Sequence, residues 1–432
     1  KNIFMKKIGI VILLFFASLC SAQFVVQNTP ATNFLTSISS PTNSVAWACG
    51  DSLQLIRTSN GGANWVNARG NIPGMLRFFN IWGVDSLTAH VCVSDYFFTI
   101  GSIYKTTDGG VNWTRTFYQG GNGFINAVAF TTPLNGFAMG DPVGGRWTLL
   151  KTTNGGANWD STGMYLPSLS GEVGLDRSLF YEGSKIWFGS QSGKIYSSTN
   201  NGLNWITTQT VMSGVQAIFF NDAASGKGLA VSNWSHNEFT MIKTSNSINW
   251  SAIDLIKNER IPSVSGLIGT SNYWFIYPTS ILKSSNYGLN WDLVFNNTLS
   301  SLHDICVSRS GTLPRSVYAC RHNGSIVKGN TDISSGINLI SNNIPERFEL
   351  KQNYPNPFNP TTKIIFNLRN SGNISLKVYN QSGQLIIELL NEFKTAGSYS
   401  VDFNGKDLPS GVYYYKMESE INIETKKMIL IK

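Results

Sequence analysis

Apolar and polar positions alternate with a period of two in short runs along most of this chain, with Gly, Asn, Asp or Ser between the runs. Residues 34–39, 44–50, 53–59 and 65–69 form one set of four runs, and 125–130, 137–140, 148–153 and 159–162 form another. Between residues 24 and 332 no apolar spacing of three and four competes, so helices are not expected there. The pattern predicts an all-β region built from repeated four-stranded units.

Each unit turns on one octapeptide, clearest at Thr106-Thr107-Asp108-Gly109-Gly110-Val111-Asn112-Trp113. Near-copies occupy 58–65, 152–159, 198–205 and 284–291, and a shortened one occupies 244–250. The peptide reads as strand, tight turn, strand. Asp108 can accept hydrogen bonds from the turn's own N–H groups, and Asn60, Asn154, Asn200, Asn246 and Asn286 do nearly the same. Gly110 stands where a positive φ is needed, as do its counterparts Gly62, Gly156, Gly202 and Gly288. The closing Trp is a large apolar anchor, expected to pack the turn onto its own sheet.

Trp65, Trp113, Trp159, Trp205, Trp250 and Trp291 recur every roughly 40–50 residues, the period of propeller blades made of short strands. The pattern Ser/Thr-x-Asp-x-Gly-x-x-Trp resembles the Asp-box (BNR) repeat of sialidases, sortilin-type receptors and xyloglucanase-like glycosidases. The fuller repeat Asn135-Gly136-Phe137-Ala138-Met139-Gly140-Asp141, followed by Leu149-Leu150-Lys151-Thr152-Thr153-Asn154-Gly155-Gly156, is similar to the photosystem II assembly and stability factor type of propeller. The resemblance covers most of residues 24–332 and implies a propeller in which the box is a structural turn.

The last unit lacks a box. Residues 302–307, 316–321 and 325–328 supply three strands, and the segment starting at Phe24 aligns with the outer strand that starts at Trp65. The N-terminal segment is therefore expected to complete a seventh blade, which removes exposed sheet edges.

Met5-Lys6-Lys7, the apolar run 8–19 and Cys20-Ser21-Ala22 have the three regions of a secretory signal, with cleavage expected after Ala22. Residues 1–4 read as an upstream extension. The apolar run is short for a membrane span, and bulky Leu19 argues against a lipoprotein box at Cys20.

Residues 333–343 are Ser/Asn-rich and read as a linker between a propeller at 23–332 and a last domain at 344–432. That domain opens on prolines at 355, 357 and 360, which force extended neighbours. Alternating strands follow at 363–368, 375–379, 384–389, 398–403, 412–418 and 425–431, which reads as a small Ig-like β-sandwich. The run Asn353-Tyr354-Pro355-Asn356-Pro357-Phe358-Asn359-Pro360-Thr361-Thr362, then Val378-Tyr379-Asn380 with Gly383, Ser410-Gly411-Val412-Tyr413 and Lys427-Met428-Ile429-Leu430-Ile431-Lys432, closely resembles the type A C-terminal sorting domain of type IX secretion. Asn380 stands where that family usually has Asp. The resemblance implies engagement of the type IX machinery, passage of a Gram-negative outer membrane, removal of the tail, and release or surface attachment.

Composition agrees with that address. Charged residues are 13% of the chain and aromatics 12%, so the surface is built largely from Asn, Ser, Thr and Gly. The net charge of +8 falls to +5 without Lys1, Lys6 and Lys7, and no basic block concentrates it, which argues against nucleic acid. Beyond the leader, Cys49, Cys92, Cys306 and Cys320 show no zinc spacing. Cys306 and Cys320 lie on two arms of one hairpin, equally compatible with a disulfide and with buried thiols.

Chemistry is sparse. His90 lies within a strand and reads as a satisfied core residue, and no nucleophile elbow, metalloprotease helix or phosphate loop appears. No cofactor or metal is expected. Arg260-Ile261-Pro262 mimics a sialidase motif but lies between the fifth and sixth units. Asp51, Asp141, Glu172, Asp176, Glu238 and Asp304 fall in or near loops, where a pair would serve a glycoside hydrolase. The favoured reading is a secreted binding or scaffolding propeller that recognises a protein or glycan on the face opposite the boxes, where loops vary. Arg146, Trp234, His236, Arg321 and His322 are its candidate contacts, and a xyloglucanase- or sialidase-like hydrolase is the alternative.

Overall fold

The computed structural model describes residues 24–233, 240–253, 260–297, 299–331, 337–341, 344–394, 396–405, 408–419 and 421–432. The described residues from 24 to 331 form seven antiparallel sheets, each a blade of a ring: blade 1 (35–67), blade 2 (76–119), blade 3 (125–152), blade 4 (174–209), blade 5 (217–252), blade 6 (263–296) and blade 7 (302–330). Consecutive strands pair in order, so each blade is a meander with its first strand nearest the axis.

Ring closure follows the sequence expectation. Val25–Gln27 is the outer strand of blade 7, with Val25, Val26 and Gln27 opposite Lys328, Val327 and Ile326. Phe24 is buried beside Phe295 of blade 6, ring centroids 5.9 Å apart. Blade 3 departs from the expected four strands. Its outer position holds a single bridge between Lys151 and Asp160 in place of a strand over 159–162.

The apolar core of the ring is a set of seams. Seven clusters of buried side chains each join two neighbouring blades; Trp47, Cys49 and Leu55 of blade 1, for example, meet Phe78, Val91 and Trp113 of blade 2. This arrangement changes the role read for the box. In the octapeptide at 106–113, Thr106 Oγ1 donates to Asp108 Oδ1 (2.9 Å), and the N–H of Asn112 donates to the same oxygen (2.9 Å). Gly110 takes φ 89°, and a Cβ there would lie 2.4 Å from the carbonyl oxygen of Ala68 in the preceding blade's last segment. Trp113 Nε1 donates to that same carbonyl (2.9 Å). Likewise Trp65 Nε1 donates to Gln27 (3.1 Å) and Trp159 Nε1 to Thr116 (3.3 Å). These three boxes thus fasten their blades to the one before by hydrogen bond, whereas Trp205 Nε1 donates to Gly202 O of its own turn (2.9 Å) and the Nε1 atoms of Trp250 and Trp291 have no partner.

His90 is buried, stacked on Phe130 at 4.4 Å, and neither ring nitrogen has a hydrogen-bond partner. Burial pushes its pKa down to about 3, so it is a neutral packing ring and not the satisfied histidine expected. Cys49, Cys92, Cys306 and Cys320 are all free thiols.

Past the ring, two four-stranded sheets face each other around one apolar cluster that includes Phe358, Phe366, Leu376, Tyr415 and Met428. Ile337–Ser341, inside the stretch expected to be an unpatterned linker, is a strand of this sandwich and pairs with Gly397–Asn404. The proline-rich entry is tied to the chain's last strand: Ile429 N–H donates to Asn356 Oδ1 (2.9 Å), and Phe358 N–H to Ile429 O (2.9 Å). Buried Asn353 donates from its backbone to Tyr415 Oη (2.8 Å) and from its side chain to Thr362 (2.9 Å).

Candidate binding site

The meander order puts strand two-to-three loops and blade-to-blade links on one face of the ring, and the boxes on the other. On the loop face, the blade 2 loop after Asp95 presents Tyr96, Phe97 and Phe98. Tyr96 is 65% exposed, Phe97 77%, and neighbouring Met75 85%. The loop is held from beneath. Thr99 N–H donates to Asp95 Oδ1 (2.7 Å), which closes the turn. Phe98 packs on Phe79 and Phe124, at 5.8 and 5.9 Å. Arg77 lies against the rings of Tyr96 (5.5 Å) and Phe98 (5.6 Å) while its guanidinium is fixed by Asp51, at 3.2 Å through each of two nitrogens. The aromatic tip is thus exposed in its side chains and ordered in its backbone.

Nearer the axis, acids gather between blades 3 and 4. Gly174 N–H donates to Asp141 Oδ1 (2.8 Å). Burial raises the Asp141 pKa, with the Gly174 and Asn126 hydrogen bonds opposing it. Asp176 is pushed up to about 7 by burial, against the pull of Arg177 and with a further push from the Asp141 charge. Glu172 differs: burial would raise it, yet hydrogen bonds from Tyr196, Ser192 (2.9 Å) and Lys194 (3.2 Å) hold its carboxyl below the usual range. Asp51 and Asp304 are spent on Arg77 and Arg177 respectively.

The axis itself is bridged. Arg177 of blade 4 reaches Asp304 of blade 7 and also donates to His303 O (2.8 Å). Asp304 accepts in addition from Ser263 Oγ of blade 6 (2.7 Å) and from the Ile38 N–H of blade 1 (2.9 Å). Towards the box face from this bridge lies an axial cavity of about 540 Å³ lined by inner strands of all seven blades.

The residues singled out from sequence fare differently. Arg146 is exposed at the tip of the blade 3 hairpin. Trp234 and His236, like Glu238, lie outside the described residues. Arg321 is 2% exposed and donates to Ser300 O (2.9 and 3.1 Å) and Asn297 Oδ1 (3.1 Å), so its charge braces the link into blade 7. His322 packs against Phe34 (3.8 Å) and shares a hydrogen bond with His303 (3.1 Å). Burial lowers the pKa of both histidines, that of His303 to about 2, so the pair is neutral. In sequence the Tyr96–Phe98 tip reads as more of its apolar strand, and Asp95 is the one signal of a turn.

Among the described residues no group of three or more His, Cys, Asp or Glu is placed to hold a metal, and no helix is long and apolar enough to cross a membrane.

Residues 352–432 match the family model of the secretion system C-terminal sorting domain. No curated protein matches the chain. Among solved structures the chain is similar to YCF48 bound to D1 peptide, at 14% identity over 72% of this chain and 97% of that one, TM-score 0.53. It is similar also to YCF48 from Cyanidioschyzon merolae, at 17% identity over 71% and 98%, TM-score 0.52. A GH74 xyloglucanase from Xanthomonas campestris aligns at 11% identity over 80% of this chain and 59% of that enzyme, TM-score 0.51. These identities carry the fold and nothing finer. The described residues 24–331 thus have the fold of a seven-bladed β-propeller whose turns carry the Asp-box octapeptide, and residues 352–432 are a secretion system C-terminal sorting domain.

Proposed function

We propose that the propeller is an exported docking module whose partner is a protein held on the loop face by the Tyr96–Phe97–Phe98 tip. The observation that carries this reading is the composition and support of that tip. Met75, Tyr96, Phe97 and Phe98 are exposed together beside Arg77, the residue types enriched where proteins meet. A sugar face favours one broad ring, whereas Met and several Phe favour an apolar partner surface. Because Asp95 and Arg77 fix the loop, little ordering entropy opposes binding. A photo-crosslinking residue at Phe97 of the exported protein is expected to trap a partner that the same residue at Val111, on the box face, does not. Equal trapping at both positions, or trapping from Arg146 that survives Phe97→Ala, contradicts the reading.

Glycan hydrolysis has one observation in its favour, the Asp141–Asp176 pair. A carboxyl near 7 beside a second carboxyl is the environment a general acid needs. Hydrolysis of xyloglucan or related glycans that vanishes in both Asp176→Asn and Asp141→Asn would carry this reading; no turnover by the intact protein removes it.

A further inference from the structure

We propose that the box-face half of the axial cavity is a second binding site, for a small organic anion whose single carboxylate-like group sits on Arg309 and Arg315 and whose flat body lies against the apolar wall that includes Phe180, Phe219 and Leu267. Both arginines line the cavity, and neither has a carboxylate partner among the described residues. The Arg309 guanidinium lies 3.9 Å from the Trp82 ring centroid. It donates to Ser39 Oγ (3.0 Å) and to Gly83 O, which uses two of its five donors. Arg315 donates to Ser308 O (3.1 Å), and its Nε is buried with no partner. Arg309 is exposed, so its remaining donors are open to a ligand.

The segment is held in place. Arg309 N–H donates to Ser40 O (3.0 Å) and Ser310 N–H to Pro41 O (3.0 Å), so blade 1 fixes the backbone that carries the charge. The rest of the lining selects the body of the ligand. Trp82, Phe180, Phe219, Leu267 and Ile268 supply apolar wall, and the volume suits a small molecule rather than a chain. Glu182 lines the same cavity, with Oε2 buried and unpartnered and its pKa raised by burial and then by Asp222. A second negative charge on the ligand would meet that carboxyl, so a monoanion is favoured. Arg177 and Asp304, paired with each other, line the same cavity away from the two arginines, and entry is assigned to the box face. This site is separate from the aromatic tip and stands or falls independently of it.

Calorimetric titration of the full chain with 3-phenylpropionate, its neutral amide and inorganic phosphate tests the assignment. The acid is expected to bind, and the amide at least about tenfold more weakly, since a charge-assisted contact is lost. Arg309→Gln should cause a similar loss. Because Arg309 also braces Ser39 and Gly83, Ile268→Trp provides a second variant: it fills the half-exposed mouth, leaves both arginines, and should abolish binding with melting unchanged. Equal binding of acid and amide overturns the proposal. So does undiminished binding by both variants, or no binding of the acid at all. Phosphate binding as tightly as the acid overturns the organic part and reduces the site to an inorganic anion hole.

Discussion

Arg177 of blade 4 meets Asp304 of blade 7 across the ring axis, with 3.3 Å between Nη1 and Oδ1 and both side chains more than nine-tenths buried. These blades are not neighbours, so the pair ties together parts of the ring that no sheet or seam connects. Removing one partner strands a buried charge, whereas removing both does not. Asp304→Ala is expected to cost about 3–5 kcal/mol, and Arg177→Met with Asp304→Leu much less than that. Denaturant titration of the two variants checks this, and equal losses would mean that the pair carries no coupling.

Closure gives a second expectation. Phe24 buries its ring against Phe295 at the edge that Val25–Gln27 supplies. Phe24→Ala should cost about 3 kcal/mol through the cavity it leaves. Deleting residues 24–27 should leave a folded but less stable ring with the outer edge of blade 7 bare. Hydrogen exchange that rises first in 326–330 would report the opened edge.

The box glycines make a third. Gly110 and Gly121 both take positive φ, 89° and 70°, but a Cβ at Gly110 strikes Ala68 while at Gly121 it meets nothing within 4 Å. Gly121→Ala should carry backbone strain alone, about 1 kcal/mol, and Gly110→Ala visibly more. Similar melting shifts in the two would show that the blade-to-blade contact is slack.

Asp176 gives a pH-dependent expectation. Its folded pKa, about 7, lies above the unfolded value, so its protonated form is the one the fold prefers. The group penalises folding least below the unfolded pKa, and the penalty grows as pH rises through the folded one. Asp176→Asn should therefore stabilise the protein at pH ~8 and much less near pH ~5. Thermal melts at the two pH values test the sign.

For export, the last strand is the place to cut. Ile423–Leu430 completes a sheet, and Ile429 holds both Asn356 and Phe358. Truncation of residues 428–432 is expected to trap the protein inside the cell envelope. Unchanged appearance at the surface or in the medium, followed by blotting of fractions, would argue against it.

Much of the ring was legible because its order is local. Alternation located the strands, the octapeptide located the turns, and the likeness of residues 24–30 to the outer-strand segment located closure. What was missed is non-local. Nothing in the spacing of Arg177 and Asp304 announces a contact between blades three apart, and a box Trp looks the same whether it packs on its own sheet or the preceding one. Arg321 looked like a loop cation because sequence shows its charge and hides the carbonyls of the link it supports. The Arg309 site combines residues from blades 1, 2 and 7, each unremarked in its own segment.

Five of the six box turns are closed by an amide, at Asn60, Asn154, Asn200, Asn246 and Asn286, and one by a carboxylate, Asp108. The Asn112 backbone and side chain hold that carboxyl below the usual range, so its share of stability fades only as pH falls through an already low value. Amides do not titrate. An exported protein meets acidity that no cytoplasm buffers, and its box turns are made almost wholly of groups that acid leaves alone.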